Sequence, residues 1–222
     1  MLNFKDFLTE GVNDPAIFKA VFLAGGPGSG KSFVVGKTAL PSLGFKVVNS
    51  DNAFETALKK AGLEMDPETI FSKQGQSIRV RSKELTGKQM NLYIAGRLGL
   101  VIDGTGKDFE KISRQKKMLE DIGYETTMIF VNTDLETALA RNNKRARSLP
   151  DGVVEKMWKD VQNNLGKFQS IFGRGGITIV DNSDSSDVEN ATMRAYKTIS
   201  KWANREPRNH LAKKWIKQER DK

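Results

Sequence analysis

The stretch Gly25-Gly26-Pro27-Gly28-Ser29-Gly30-Lys31-Ser32 constrains this chain more than any other. It fits G-x-x-x-x-G-K-[ST], the P-loop pattern, and its flanks supply the context that pattern requires. The run 20–24 before it, Ala-Val-Phe-Leu-Ala, is short and apolar and suits a buried parallel strand. Residues 32–40 after it suit a helix, which Pro41 ends. In such a unit the glycines let backbone N–H groups turn inward around phosphate, and the helix N-terminus adds a favourable dipole. Lys31 would reach the β- and γ-phosphates, and the Ser32 hydroxyl would meet Mg²⁺. The pattern therefore predicts that the chain binds ATP with Mg²⁺. A glycine-rich strand–helix turn of purely structural use is the competing explanation; the agreement of motif and context weighs against it.

Five short apolar runs, at 20–24, 45–49, 98–103, 126–131 and 177–181, alternate with helical patterns. The helices are expected near 31–40, 53–61, 76–97, 108–122, 134–147, 151–172 and 185–204, with a last one over 208–220. Short buried strands separated by helices predict an α/β fold: a P-loop NTPase three-layer sandwich with a five-stranded parallel sheet. The segment 52–97 exceeds a minimal crossover and is a natural substrate region. The chain divides into an N-terminal amphipathic extension (1–18, with Leu2, Phe4, Phe7 and Leu8), a P-loop domain (19–205) and a basic C-terminal tail (206–222).

Composition limits the chemistry. The 222 residues contain no cysteine and a single histidine, His210, which excludes disulfides, cysteine zinc sites and histidine triads. Catalysis must rest on carboxylates, Lys, Arg, hydroxyls and a bound metal. No apolar run approaches the ~20 residues needed to span a bilayer, and the N-terminus carries no secretory h-region. No membrane association and a cytoplasmic location are therefore expected. The net charge is +9, of which residues 201–222 hold +5 from eight Lys/Arg and three Asp/Glu. Such a tail favours phosphate-rich partners, nucleic acid above all. A solvated, Lys-rich helical end is the alternative.

Ligands of doubly wound sheets bind at the C-terminal ends of the strands. The second run ends Asn49-Ser50-Asp51-Asn52, which would set Asp51 beside the P-loop, facing the γ-phosphate. A carboxylate there can take the proton of an attacking hydroxyl. Ser50, Asp51 or Asn52 could instead cap the next helix. The third run ends Asp103-Gly104-Thr105-Gly106. Asp103 could hold Mg²⁺ or orient the acceptor. Those residues also fit D-x-x-G of GTPases, but no N-K-x-D motif follows. Arg141 and Arg145 lie four apart on one helix face, where guanidinium groups closing over the phosphates would stabilise developing charge. A solvated face paired with Asp134 or Glu136 is the alternative. Arg79 and Arg81 are candidates for an acceptor phosphate but face different ways.

Together these motifs resemble P-loop kinases of the polynucleotide kinase and zeta toxin group. The resemblance covers residues 19–172. It rests on Gly28-Ser29-Gly30-Lys31-Ser32, then Asn49-Ser50-Asp51, then Asp103-Gly104-Thr105. The lid pattern Arg141-Asn142 with Arg145 follows, and after it Pro150, Val153 and Met157. It implies a kinase fold with a lid, Asp51 as general base, and transfer of the γ-phosphate of ATP to a polynucleotide 5′-hydroxyl. The arginine that follows the family's base has no counterpart in Asn52-Ala53-Phe54-Glu55. Zeta-type relatives imply a nucleotide-sugar hydroxyl instead. A nucleoside monophosphate kinase is a further alternative, and a nucleotide-dependent binding or assembly protein is one from another class.

Overall fold

In the computed structural model, β1 (Lys19–Ala24) is buried at every position and forms the centre of a five-stranded sheet. The structure describes residues 12–144, 148–184 and 186–221. The other strands are β2 (Lys46–Val48), β3 (Leu100–Asp103), β4 (Glu125–Asn132) and β5 (Ile177–Asp181). All pair in parallel, in the order β2-β3-β1-β4-β5. The expected α/β sandwich is the one observed.

Strand alternation explains why both faces need cover. Ala20, Phe22 and Ala24 join a core with Leu100, Ile102, Met128 and Phe130. Helices α4 (Lys73–Ala95), α5 (Phe109–Asp121) and α7 (Asp151–Phe172) close that face through Met90, Ile112, Leu119, Val161 and Phe168. Val21 and Leu23 point the other way, into a core with Val101, Ile129 and Val131. There α1 (Lys31–Lys37) contributes Val34, and α8 (Val188–Ala203) contributes Ala195 and Ile199. Residues 12–18 also enter the body: Ala16, Ile17 and Phe18 are buried. The part of the N-terminal extension that carries Leu2, Phe4, Phe7 and Leu8 lies outside the described residues.

The segment between β2 and β3 builds a small core of its own. Phe54 and Leu58 of α2 (Ser50–Lys60) meet Ile70 of α3 (Pro67–Phe71), with Leu63, Met65 and Ile78 around them. Helix α3 was not expected. Its start is written locally, since Asp66 accepts from the Thr69 N–H and hydroxyl while Pro67 stands at N1. Helix α2 starts earlier than expected because Asn49 is its cap. Helix α1 ends earlier, at Lys37: Ala39 turns to φ 45° and leads into a 3₁₀ turn over Leu40–Leu43.

Residues 206–221 are helical over α9 (His210–Arg220). Ala212 and Ile216 lie in the main core, and Trp215 packs edge-on against Phe18 at 5.5 Å between ring centroids. This helix sits at the N-terminal ends of the strands, opposite the P-loop. No helix among the described residues is long and apolar enough to cross a membrane.

Candidate active site

The P-loop links β1 to α1. Gly28 and Gly30 adopt left-handed φ of 75° and 80°, a conformation that glycine reaches without strain. Neighbours also leave no room for a side chain: a Cβ would stand 2.3 Å from Ala138 O at Gly28 and 2.2 Å from Asn182 Nδ2 at Gly30. Those two neighbours belong to α6 (Leu135–Asn143) and to the loop after β5. Asn182 also donates from Nδ2 to Ser29 O at 2.7 Å, so the end of β5 fixes the loop's shape. Lys31 donates to Gly25 O at 2.7 Å, which holds its ammonium over the loop. The Ser29 hydroxyl is buried with no hydrogen-bond partner among the described residues. Gly25, Gly26, Pro27 and Ser32 complete the loop, and Ser32 is exposed in the first turn of α1.

The register of the sheet decides which carboxylates reach this loop. Leu23 pairs with Asp103, and Val48 pairs with Ile102. One step further along β2, Asn49 comes beside Asp103 and donates from Nδ2 to its Oδ2 at 2.6 Å. The same amide's Oδ1 accepts the Asp51 N–H at 2.8 Å. Burial pushes the Asp103 carboxyl above its ordinary value, the Lys31 charge and the Asn49 hydrogen bond pull it back, and the Asp51 charge pushes the same way as burial. Lys31, Asp51 and Asp103 therefore share one electrostatic site. Asp51 itself is exposed in the first turn of α2. The capping role that sequence offered to Ser50, Asp51 or Asn52 belongs to Asn49.

Arg141 is tied down. Its Nη1 donates to Asn182 O at 2.7 Å and its Nη2 pairs with Asp184 at 2.6 Å. Its guanidinium thus stands next to Gly30 through Asn182, and the pairing with Asp134 or Glu136 is not the one formed. Arg145 lies outside the described residues. Asn142 closes the chain around that stretch by exchanging two hydrogen bonds with Leu149.

Beside Asp103 opens a cavity of about 420 Å³, floored by Val48, Met90, Ile102 and Ile112. Its polar wall holds Lys83 and Thr86 from α4, Thr105 and Lys107 from the loop after β3, and Lys111 and Gln115 from α5. Arg79 and Arg81 take no part. Arg79 stacks on Phe54 at 5.0 Å, and Arg81 lines a groove between α2 and α4. Sequence reasoning missed Asn49, Asn182 and the three lysines. Asn49 and Asn182 follow strand ends, and that position was the available signal. The lysines come together only through the fold.

A cation could be held by the Ser32 hydroxyl and the Asp103 carboxylate. That two-oxygen set suits Mg²⁺, which keeps phosphate and water ligands around one or two protein carboxylates. No cluster of three or more acidic or histidine side chains offers a separate metal site among the described residues.

The model of the family AAA_33, described as an AAA domain, matches residues 21–167. No curated protein matches the chain. Solved structures share its fold at low identity. A gluconokinase from Sinorhizobium meliloti 1021 is 12% identical, with TM-score 0.51; the match covers 84% of this chain and 94% of that one. A chain of AvrRxo1-ORF1:-ORF2 with ATP is 14% identical, with TM-score 0.60, over 88% of this chain and 70% of that one. A chain of the same pair with sulphate ions is 17% identical, with TM-score 0.59, over 78% of this chain and 58% of that one.

Proposed function

The chain belongs to the AAA domain family of P-loop proteins, and from that premise we propose that it is an ATP- and Mg²⁺-dependent kinase acting on a hydroxyl group. The observation that carries this is the cavity lined by Asp103, whose carboxyl feels the charges of both Lys31 and Asp51. A hydrolase or switch needs room for water there; a cavity of this size takes a molecule. The fold shared with a gluconokinase supports the same conclusion.

The P-loop amides hold the β- and γ-phosphates of ATP, and Lys31 neutralises charge between them. Mg²⁺ held by Ser32 and Asp103 would draw charge from the same phosphate oxygens when bound. The acceptor hydroxyl attacks the γ-phosphorus. Its proton passes to the Asp51 carboxylate as the new O–P bond forms and the bond to the β-phosphate breaks, leaving ADP. Asn49 orients both carboxylates, because one amide holds Asp103 and the first turn that carries Asp51. In the lid reading Arg141 and Arg145 supply guanidinium charge to the phosphates, which for Arg141 requires release of its pairing with Asp184.

The order of the motifs favours a polynucleotide 5′-hydroxyl as the acceptor. Zeta-type nucleotide sugars and nucleoside monophosphates are the neighbouring possibilities. Labelled ATP incubated with 5′-hydroxyl oligonucleotides, nucleotide sugars and nucleoside monophosphates separates them. Label should pass to the oligonucleotide and fall at least about a hundredfold in Asp51→Ala. Undiminished transfer in that variant rules out Asp51 as the base. Transfer to none of the three favours a nucleotide-dependent binding protein.

A further inference from the structure

We propose that Asn164 is a positioning residue of the site: from inside α7 it holds the loop that carries Asp103 against the start of the P-loop. The proposal rests on the kinase reading of the same site and adds to it a residue that acts through others.

Asn164 faces the core. It follows Val161 by three residues and precedes Phe168 by four, which sets all three on one face of α7. Val161 and Phe168 belong to the main core. Asparagine is a poor helix former, and a buried amide is costly unless its hydrogen bonds are made. Asn164 is only 6% exposed and makes them outside its own helix. Its Nδ2 donates to Gly106 O at 3.1 Å and to Lys107 O at 3.0 Å. Both carbonyls lie in the loop after β3, three and four residues beyond Asp103.

That loop is in turn fastened to the P-loop. Thr105 O accepts the Gly25 N–H at 3.0 Å, and Gly25 O accepts the Lys31 ammonium at 2.7 Å. The Gly104 N–H donates to Leu23 O at 3.2 Å. A Cβ on Gly106 would stand 2.8 Å from the Ala24 Cβ, so the loop lies directly against the end of β1. A hydrogen-bonded chain therefore runs from α7 through the Asp103 loop to Gly25 and Lys31. Asn164 is its anchor on the helix side. Without that amide two loop carbonyls lose their donor. Asp103, Thr105 and Lys107, which line the cavity, then lose their fixed distance to the P-loop. The P-loop itself keeps its shape, because Asn182 holds Ser29 from the other side.

Two substitutions of the same branched shape test this. Asn164→Leu suits the apolar face and has no donor. Asn164→Asp turns carboxylate oxygens towards the two carbonyls. Val161→Ala, on the same helix face, controls for lost stability without lost hydrogen bonds. Hydrogen exchange reads the link without turnover. Relative to the amides of β4, those of Gly25 and Gly104 should exchange at least about tenfold faster in both Asn164 variants, and no faster in Val161→Ala. At a temperature where circular dichroism shows every variant folded, kcat should fall at least about tenfold in both Asn164 variants, since small misplacements of reacting groups are costly. Val161→Ala should keep the wild-type kcat, and all variants should keep the affinity for a non-hydrolysable ATP analogue. The Asn164→Asp deficit should shrink as pH falls, because burial raises the pKa of that carboxyl and its protonated form donates again. Full kcat in folded Asn164→Leu, an equal loss in Val161→Ala, an Asn164→Asp deficit independent of pH, or Gly25 and Gly104 amides that keep pace with β4 overturns the proposal. The expected exchange pattern in a chain whose wild type transfers no phosphate refutes the kinase reading and leaves the hydrogen-bonded link standing.

Discussion

Asn49 donates to Asp103 across 2.6 Å, joining two residues 54 positions apart. The other end of the same amide caps α2. One side chain therefore sets both a helix start and the orientation of a buried carboxylate. Serine caps a helix about as well as asparagine but has no amide to give. Asn49→Ser should keep the cap of α2 but lower stability at pH 7 by about 1.5–3 kcal/mol, the contribution of a hydrogen bond to a charged group, and lower kcat about tenfold. Urea unfolding and steady-state kinetics measure the two effects. An unchanged kcat would show that Asp103 needs no such partner.

Asp103 also gives stability a pH dependence. Burial holds its folded-state carboxyl above the ordinary value of 3.8. Between the two values the native chain binds more protons than the unfolded one, so this group lowers stability as pH rises through that window. The cost is complete above the folded value and absent below about pH 3.8. Asp103→Asn should therefore raise Tm at pH 7 by roughly 2–4 °C for each kcal/mol regained, and the gain should vanish near pH 3.5. Thermal scans of both proteins across pH 3–8 test this. A gain independent of pH would assign the effect to packing. The stabilised variant should be inactive, as expected where a site holds a buried charge for function.

A second, half-buried carboxylate works in the opposite sense, far from the site. Glu125, at the start of β4, pairs with Lys19 at 2.6 Å and with Arg205 at 3.0 Å, and accepts the Arg208 N–H. Burial pushes the Glu125 carboxyl up, but hydrogen bonds from Lys19, Arg208 and Arg205 together pull it below its ordinary value. Burial pulls the Lys19 ammonium down against the attraction of Glu125. The Lys19 side chain is fully buried, and its ammonium lies 5.0 Å from the Trp202 ring. Glu125→Gln leaves that ammonium without an anion and should cost about 3 kcal/mol. The Glu125 contribution is present above the ordinary carboxylate range and is lost as pH falls through its folded value. Denaturant titrations at pH 7 and pH 3 should show a large difference between variant and wild type at the first and a small one at the second.

The basic tail is placed away from the chemistry. Its helix α9 buries Ala212 and Ile216 and exposes Lys213, Lys214 and Lys217. It packs beside Phe18, before β1, whereas the P-loop follows β1. Six strand residues at ~3.3 Å each separate the two ends by about 20 Å. Reversing Lys213, Lys214 and Lys217 to Glu should leave the KM for an oligonucleotide acceptor, and its salt dependence, unchanged. A salt slope lowered by about one per residue would instead make this face a phosphate contact.

The parts of this molecule that sequence made legible are those written in neighbouring residues. Residues 20–24 alternate between two cores, and the P-loop follows without a gap, so strand, loop and helix could be read together. Asn49 and Asp103 could not be paired, because their contact depends on the β2–β3 register. Lys83, Lys107 and Lys111 were equally hidden: each is an unremarkable charge on its own element, and only the packing of α4 and α5 over β3 brings them together. The charge of the tail was legible; its place was not, because that depends on Trp215 finding Phe18. The missed helix α3 is different, since Asp66-Pro67 and Thr69 carry its start within four residues. It falls between the two helices expected at 53–61 and 76–97, in a stretch read as their connection.

Phosphorus NMR of ATP turnover by the wild-type chain, with Mg²⁺ and the oligonucleotide, nucleotide-sugar and nucleotide acceptors together, tests the kinase assignment most directly. The γ-phosphate signal should reappear as a phosphate monoester in step with ADP, and both should disappear in Lys31→Ala. Inorganic phosphate formed at a rate indifferent to acceptor, or ATP left intact beside a fully occupied P-loop, would contradict it.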